Sequence, residues 1–366
     1  MQATPAEHVF PSPMGLTHEE FVRESVGRGL REGVALEVYK RFFREGPTQF
    51  PGLIPQPTRT LVTDSPEGDV TKFLLSVPAR RDGEPSLETE SVVIPMQRRH
   101  MNTKTLCVSS QVGCAMGCTF CETAQMGLIR SLSAAEIVRQ WYAARHVLKH
   151  EIKNIVFMGM GEPLDNYDEV IRAIRVLTDH SGPSIGMGCI TISTVGRIDG
   201  LLKLREQASQ PGWKSLNLAV SINAPNDAIR DTIMPINRSM PLGELIPILE
   251  SWPRRKSGAI CVEYVLIPGV NSSVEHAAEI AERFRKVRCC VNVIPYNPRR
   301  DSPWPPPTEE EVWAFLRELE ARGQFCKRRR TKGRDSMAAC GQLGNEGIRK
   351  RKFVGVTVQS GPAARA

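Results

Sequence analysis

Alternation of β-branched apolar runs with helix-spaced apolar runs constrains this chain most. NIVFMGMG, CITISTVG, SLNLAVSINA, AICVEYVLIPG and CCVNVIPYNP read as buried strands. Between them, DEVIRAIRVLTDH, RIDGLLKLREQ, PLGELIPILESW and VEHAAEIAERFRKV carry apolar residues at the spacing of one helical face. Strands separated by helices cannot pair as hairpins. They run parallel with right-handed crossovers, which leaves a doubly wound sheet or a complete or partial barrel. In each, ligands gather at the carboxyl ends of the strands. GMGEP follows NIVFM there, PYNP follows CCVNVI, and a three-cysteine loop follows TLCVSS.

Residues 1–90 differ. THEEFVRESVGRGLREGVALEVYKRFFREG predicts one or two amphipathic helices ending near the turn-rich GPTQFPGLIPQP, so a small, mainly helical accessory domain is expected. Farther on, DSPWPPPTEEE predicts a proline-rich loop entering a helix whose cap is the threonine and whose first turn is acidic. With 366 residues the chain has ample length for a substantial core. No apolar run reaches the roughly 18 residues of a membrane span, and MQATPAEHVFPSP lacks the regions of a secretory signal. The expectation is a cytoplasmic protein without a membrane partner.

In a reducing compartment, ten cysteines read as core thiols plus metal or redox chemistry, not as a disulfide framework. Four of them, Cys107, Cys114, Cys118 and Cys121, stand within fifteen residues, the last three as C-x3-C-x2-C. Structural zinc takes four ligands, and the nearest histidines, His100 and His146, lie outside the loop. Zinc completed by Cys107 or a distant residue is one reading, and three buried thiols another. The third is an iron–sulfur cluster on Cys114, Cys118 and Cys121, with one iron left open to bind a substrate or cofactor. A net charge of +8 adds a polyanionic partner, since lysine and arginine that neutralise phosphates release counterions.

The three-cysteine loop, with Phe120 before its last cysteine, resembles the radical S-adenosylmethionine (SAM) enzymes. TLCVSSQVGC, GMGEP, APND followed by IRD, the IPYNP segment and AACGQL resemble, in the same order over roughly residues 85 to 345, the RlmN/Cfr family of RNA adenosine methyltransferases. The resemblance implies an α/β fold built as a partial (β/α)6 TIM-type barrel over residues 91–345, the radical SAM catalytic domain, with a basic tail over 346–366. It implies a 4Fe–4S cluster on Cys114, Cys118 and Cys121, two SAM molecules per turnover, and an electron donor such as flavodoxin or ferredoxin. The chain would act as a monomer on C2 or C8 of an adenosine in large-subunit ribosomal RNA or transfer RNA.

Such an enzyme meets a definite chemical problem. The amidine-type carbons of adenine are too poor as nucleophiles to attack the methyl group of SAM, but a carbon radical adds to them. A cysteine thiolate accepts a methyl by displacement and then tethers the radical made from it. The resemblance assigns this S-methylcysteine to Cys340 and the resolving thiol, in a transient disulfide with Cys340, to Cys107. Glu90 in ETESVVIP becomes the proton acceptor, with Glu88 two residues away. Gly161, Glu162, Ser193, Ser221, Ile222, Asn223 and Asn297 become SAM contacts, with Glu162 taking the ammonium.

Two residues depart from the family pattern. Asn223 stands where histidine is usual, and Glu122 follows the last cluster cysteine where a small residue is expected. A carboxylate there should lower the cluster potential. The basic run CKRRRTKGR, Cys326 to Arg334, and GIRKRKF beyond Cys340 would hold the phosphates of an RNA whose target base is exposed or flipped out. The alternatives are a radical SAM enzyme with another substrate and a noncatalytic, zinc-holding RNA-binding protein. The N-terminal region would assist RNA binding.

Overall fold

The computed structural model describes residues 10–46, 53–79, 86–98, 101–253, 258–330, 332–333 and 337–344. The tail at 346–366, with GIRKRKF, lies outside them.

Ten strands form one sheet, in the order β1 (Pro57–Thr63), β2 (Val70–Val77), β3 (Leu87–Arg98), β4 (Met101–Cys107), β7 (Ile152–Phe157), β8 (Ile190–Thr194), β9 (Asn217–Ser221), β10 (Ile260–Leu266), β11 (Cys289–Pro295) and β12 (Cys326–Arg328). Two further strands, β5 (Gln111–Gly113) and β6 (Leu128–Ser131), pair separately. From β4 to β12 every neighbouring pair in the large sheet is parallel. The order never reverses. A doubly wound sheet needs a reversal point; a sequential parallel order keeps the crossover helices on one face and curls the sheet into a partial barrel.

The crossovers and connections carry α3 (Glu122–Gln125), α4 (Ala134–Tyr142), α5 (Tyr167–Thr178), α6 (Ile198–Ser209), α7 (Asp227–Ile233), α8 (Leu242–Glu250), α9 (Val274–Arg283) and α10 (Glu309–Ala321), after α1 (His18–Gly27) and α2 (Glu32–Arg44). Register aligns Leu106 with Ile155, Ile155 with Ile190, Ile192 with Leu218, and Val220 with Val262. These residues are buried in one core with Ile174, Leu204 and Ile280 of the helices. The strand period of two turns Ser193, Ser221 and Glu263 to the opposite, inner face, and Ser221 pairs directly with Glu263. Helix α10 starts as the sequence predicts: Glu311 N donates to Thr308 Oγ1 at 3.2 Å, and Thr308 N to Glu311 Oε2 at 2.8 Å.

Both N-terminal helices are present, and Val38, Phe42 and Phe43 of α2 are buried, with Phe42 stacked 4.6 Å from Tyr142. The expected mainly helical unit ending at 90 needs correction. Strands β1 and β2 and the start of β3 lie within it, extend the barrel sheet antiparallel, and place residue 90 inside β3. TRTLVT and VTKFLLSV flank the turn-forming DSPEGD, a hairpin pattern that overrides any helical reading.

Candidate active site

A cleft at the carboxyl ends of the strands encloses about 960 Å³, its open mouth included. Its lining contains Cys114, Cys118, Cys121, Gly161, Glu162, Ser193, Ser221, Asn223, Asn297 and Cys340. Residues more than two hundred positions apart in sequence thus share one cavity. Ile222, Cys107 and Glu90 do not line it.

The cysteine loop is shaped by glycines. Gly113 has φ +76°, and a Cβ there would fall 1.8 Å from the carbonyl oxygen of Gly127. Cys114 N donates to that same carbonyl at 3.0 Å, so the hairpin of β5 and β6 delivers the first cysteine. Thr119 N donates to Ile233 O at 3.0 Å, and Arg299 Nε to Thr119 O at 2.8 Å, which pin the loop to the barrel. Burial, and then the charges of the neighbouring cysteines, push the Cys114 and Cys118 thiols up; burial also raises Cys121. Among the described residues, the His, Cys, Asp or Glu ligand atoms that lie within 4.8 Å of one another in a group of three belong to His18, Asp179 and His180. The three sulfurs therefore do not all lie within 4.8 Å of one another, whereas zinc–sulfur bonds of about 2.3 Å give a tetrahedral site edges of about 3.8 Å. Three cysteine thiols lining one cleft are a donor set that fits an iron–sulfur cluster with one iron left open.

Next to the loop, Gly161 has φ +100° and packs so tightly that a Cβ would stand 2.5 Å from Gln111 Cβ. The carboxylate of Glu162 is thereby fixed in the floor. Its Oε1 accepts from Leu164 N at 3.0 Å and its Oε2 from Val195 N at 2.9 Å. Burial pushes it up to about 7, against those two amides and the Thr194 hydroxyl. A buried carboxylate poised there suits a cationic ligand.

Ser193 Oγ donates to Glu263 Oε2 at 3.1 Å. Asn223 adopts φ +57°, a conformation asparagine tolerates better than most residues. Its Oδ1 accepts from Val265 N at 2.8 Å, so the side chain secures the end of β10 as well as facing the cleft. Ile222 is fully buried and contributes backbone: its carbonyl accepts from Arg230 Nε at 3.0 Å.

Cys340 sits on a segment docked against the cysteine loop. Glu122 N donates to Gly341 O at 2.7 Å, Thr123 Oγ1 to Leu343 O at 2.5 Å, and Gln342 Nε2 to Pro298 O at 3.0 Å. Cys107 lies behind it at the end of β4, buried, and accepts a hydrogen bond from the Met158 amide. Burial and the charge of Cys340 push Cys107 up to about 12; Arg329 opposes this at both sulfurs. Both cysteines are free thiols. Glu90 is buried on β3, where it pairs with Lys72, Oε2 to Nζ at 2.8 Å.

Sequence reasoning missed Arg329, Glu263, Lys72 and Arg230. Arg329 belongs to the run expected to hold phosphates, yet Nη1 turns inward to Glu263 Oε1 at 3.2 Å. Arg328 pairs with Glu309, and Arg330 and Lys332 both pair with Glu67, so much of that run is engaged by carboxylates. The expected electrostatic role of Glu122 also changes. It is buried with Arg300 Nη1 3.6 Å from its Oε1, a positive charge that offsets its own.

Residues 108–284 match the Radical SAM superfamily. The chain is 42% identical over 286 residues to a probable dual-specificity RNA methyltransferase RlmN of Protochlamydia amoebophila, covering 78% of this chain and 76% of that protein. It is 43% identical over 261 residues to the dual-specificity RNA methyltransferase RlmN of Lawsonia intracellularis, covering 69% and 71%. A crystal structure of a radical SAM methyltransferase from Sphaerobacter thermophilus superposes with a TM-score of 0.78 at 34% identity, covering 90% of this chain and 98% of that one. The chain belongs to the RlmN family within the radical SAM superfamily.

Proposed function

We propose that this enzyme methylates C2 or C8 of an adenosine in RNA, with ribosomal RNA as the principal substrate and transfer RNA as a second. The observation that carries this reading is the meeting of Cys340 with the three-cysteine loop and Glu162 in one cleft. Cys114, Cys118 and Cys121 would hold a 4Fe–4S cluster, which with SAM and an electron from an external donor of the flavodoxin or ferredoxin class would supply hydrogen-abstracting radical chemistry.

The chain's own residues do the rest. Glu162 takes the ammonium of SAM, and Ser193, Ser221, Asn223 and Asn297 add polar contacts around it, with Ile222 holding the backbone behind them. Cys340 is the methyl acceptor, and its thiolate is favoured by Arg329 against burial. Cys107, on which the same guanidinium acts, is the resolving thiol. It attacks the Cys340 sulfur of the protein–RNA adduct, and the transient disulfide forms as the Cys340 sulfur–carbon bond breaks and its electron pair leaves with the methylated base. Glu90 is the proton acceptor, bonded to the Cys340 segment through Gly344 N at 3.1 Å. The chain works as a cytoplasmic monomer. No helix among the described residues is long and apolar enough to cross a membrane.

Mass spectrometry of nucleosides from ribosomal and transfer RNA tests the reading directly. A strain lacking the gene should lose a carbon-methylated adenosine that the wild-type gene restores and Cys340→Ala does not. Unchanged nucleosides in all three strains would exclude an RNA adenosine substrate.

A further inference from the structure

Lys72 lies buried on β2 and Glu90 on β3, at 5% and 4% exposure. The antiparallel register pairs Lys72 with Val92 and Leu74 with Glu90, so the two side chains meet diagonally on one face. Each also makes a second bond. Lys72 Nζ donates to Met337 O at 3.1 Å, and Glu90 Oε2, the oxygen that meets Lys72 at 2.8 Å, accepts from Gly344 N at 3.1 Å. One ion pair therefore holds both ends of the 337–344 segment, with Cys340 between them.

A buried ion pair is a poor source of stability, because desolvation offsets much of the attraction and an apolar pair of similar size serves as well. What an apolar pair cannot do is bond a backbone carbonyl at one end of a segment and an amide at the other. We propose that Lys72 is a positioning residue for the methyl-accepting cysteine: with Glu90 it clamps the 337–344 segment and fixes the direction from which the Cys340 sulfur enters the cleft. The inference rests on the reading of Cys340 as methyl acceptor. Misplacing a reacting atom by about an ångström slows a bimolecular displacement steeply.

The test uses the full chain with its cluster reconstituted anaerobically, and follows transfer of labelled methyl from SAM to Cys340 by peptide mass spectrometry. Wild type and Lys72→Arg should both become labelled. Lys72→Met should keep its iron content and SAM binding, exchange amide hydrogens faster within 337–344, and label Cys340 about tenfold more slowly or worse. That variant leaves the Glu90 carboxylate buried without its cation and is expected to lose stability, so Lys72→Met with Glu90→Leu is measured beside it. Recovery of thermal stability without recovery of labelling supports the clamp. Recovery of both together shows that Lys72 served only to neutralise Glu90 and overturns the proposal. A wild-type protein that never carries label on Cys340 overturns the underlying reading of that cysteine.

Discussion

Arg329 Nη1 stands 3.2 Å from Glu263 Oε1, and the same guanidinium acts on the sulfurs of both Cys107 and Cys340. Glu263 is held in turn by Ser193. Burial disfavours both thiolates, and Arg329 is the largest influence in the other direction at each. Arg329→Gln removes that charge, so both thiols rise further and fewer thiolates exist at any given pH. Methyl transfer to Cys340 should fall roughly ten- to a hundredfold at neutral pH, with its rise shifted to higher pH. The pH profile of Cys340 labelling checks this; an unshifted profile would remove Arg329 from the thiol chemistry.

Glu162 gives a pH-dependent stability whose sign is set by burial. Its carboxyl is raised from 4.5 to about 7 in the folded protein, so between those values the folded state holds a proton that the unfolded chain has released. The contribution is fully present below pH 4.5 and is lost as pH rises through 7. The iron-free protein should therefore lose roughly 3 kcal/mol across that window from this group. Glu162→Gln should flatten the dependence and be the more stable form at pH 8, measured by urea midpoints. The same variant should bind SAM more weakly, because the ammonium loses its partner.

The barrel was legible because each strand carries its own signal. NIVF, CITIST, LNLAVS, ICVEYVL and CCVNVIP correspond to β7 through β11. The cleft was legible where glycine, cysteine and carboxylate follow a strand within a few residues, as in GMGEP. Arg329 was not, since its partner is 66 residues away and its neighbours are basic, so the run looks like solvated surface. Glu122 was misjudged for the same reason: Arg300, which pairs with it, is brought near by the fold. Asn223 shows a third limit. Its side chain secures a strand end in a left-handed conformation, which asparagine tolerates but does not by itself announce.

Arg230 is fully buried in α7 and ties strand ends together. Its Nη2 donates to Val195 O at 2.6 Å and Ser221 O at 3.1 Å, its Nε to Ile222 O at 3.0 Å, and its Nη1 to Asn237 Oδ1 at 2.7 Å. Lysine cannot reproduce this fork, so Arg230→Lys leaves buried carbonyls unpaired. It should cost about 3 kcal/mol or more in urea unfolding, and Arg230→Met at least as much. Because Val195 and Ser221 line the cleft, SAM affinity should fall in folded Arg230→Lys as well.

Five cysteines, four lining the cleft and Cys107 outside its lining, should separate cleanly in iron content. Cys114, Cys118 and Cys121 are carried by a loop pinned at Gly127, Ile233 and Arg299, and all three line the one cleft. Cys107 is a residue of β4, outside the cleft lining, and Cys340 approaches from the segment docked on Glu122 and Thr123. Cys118→Ala should therefore abolish the air-sensitive visible absorbance after anaerobic reconstitution and reduce bound iron to background. Cys107→Ala and Cys340→Ala should retain both iron and absorbance while losing methylated RNA. Stoichiometric zinc in place of iron, dependent on Cys107, would instead make Cys107 a fourth ligand and the chain a metal-stabilised binding protein.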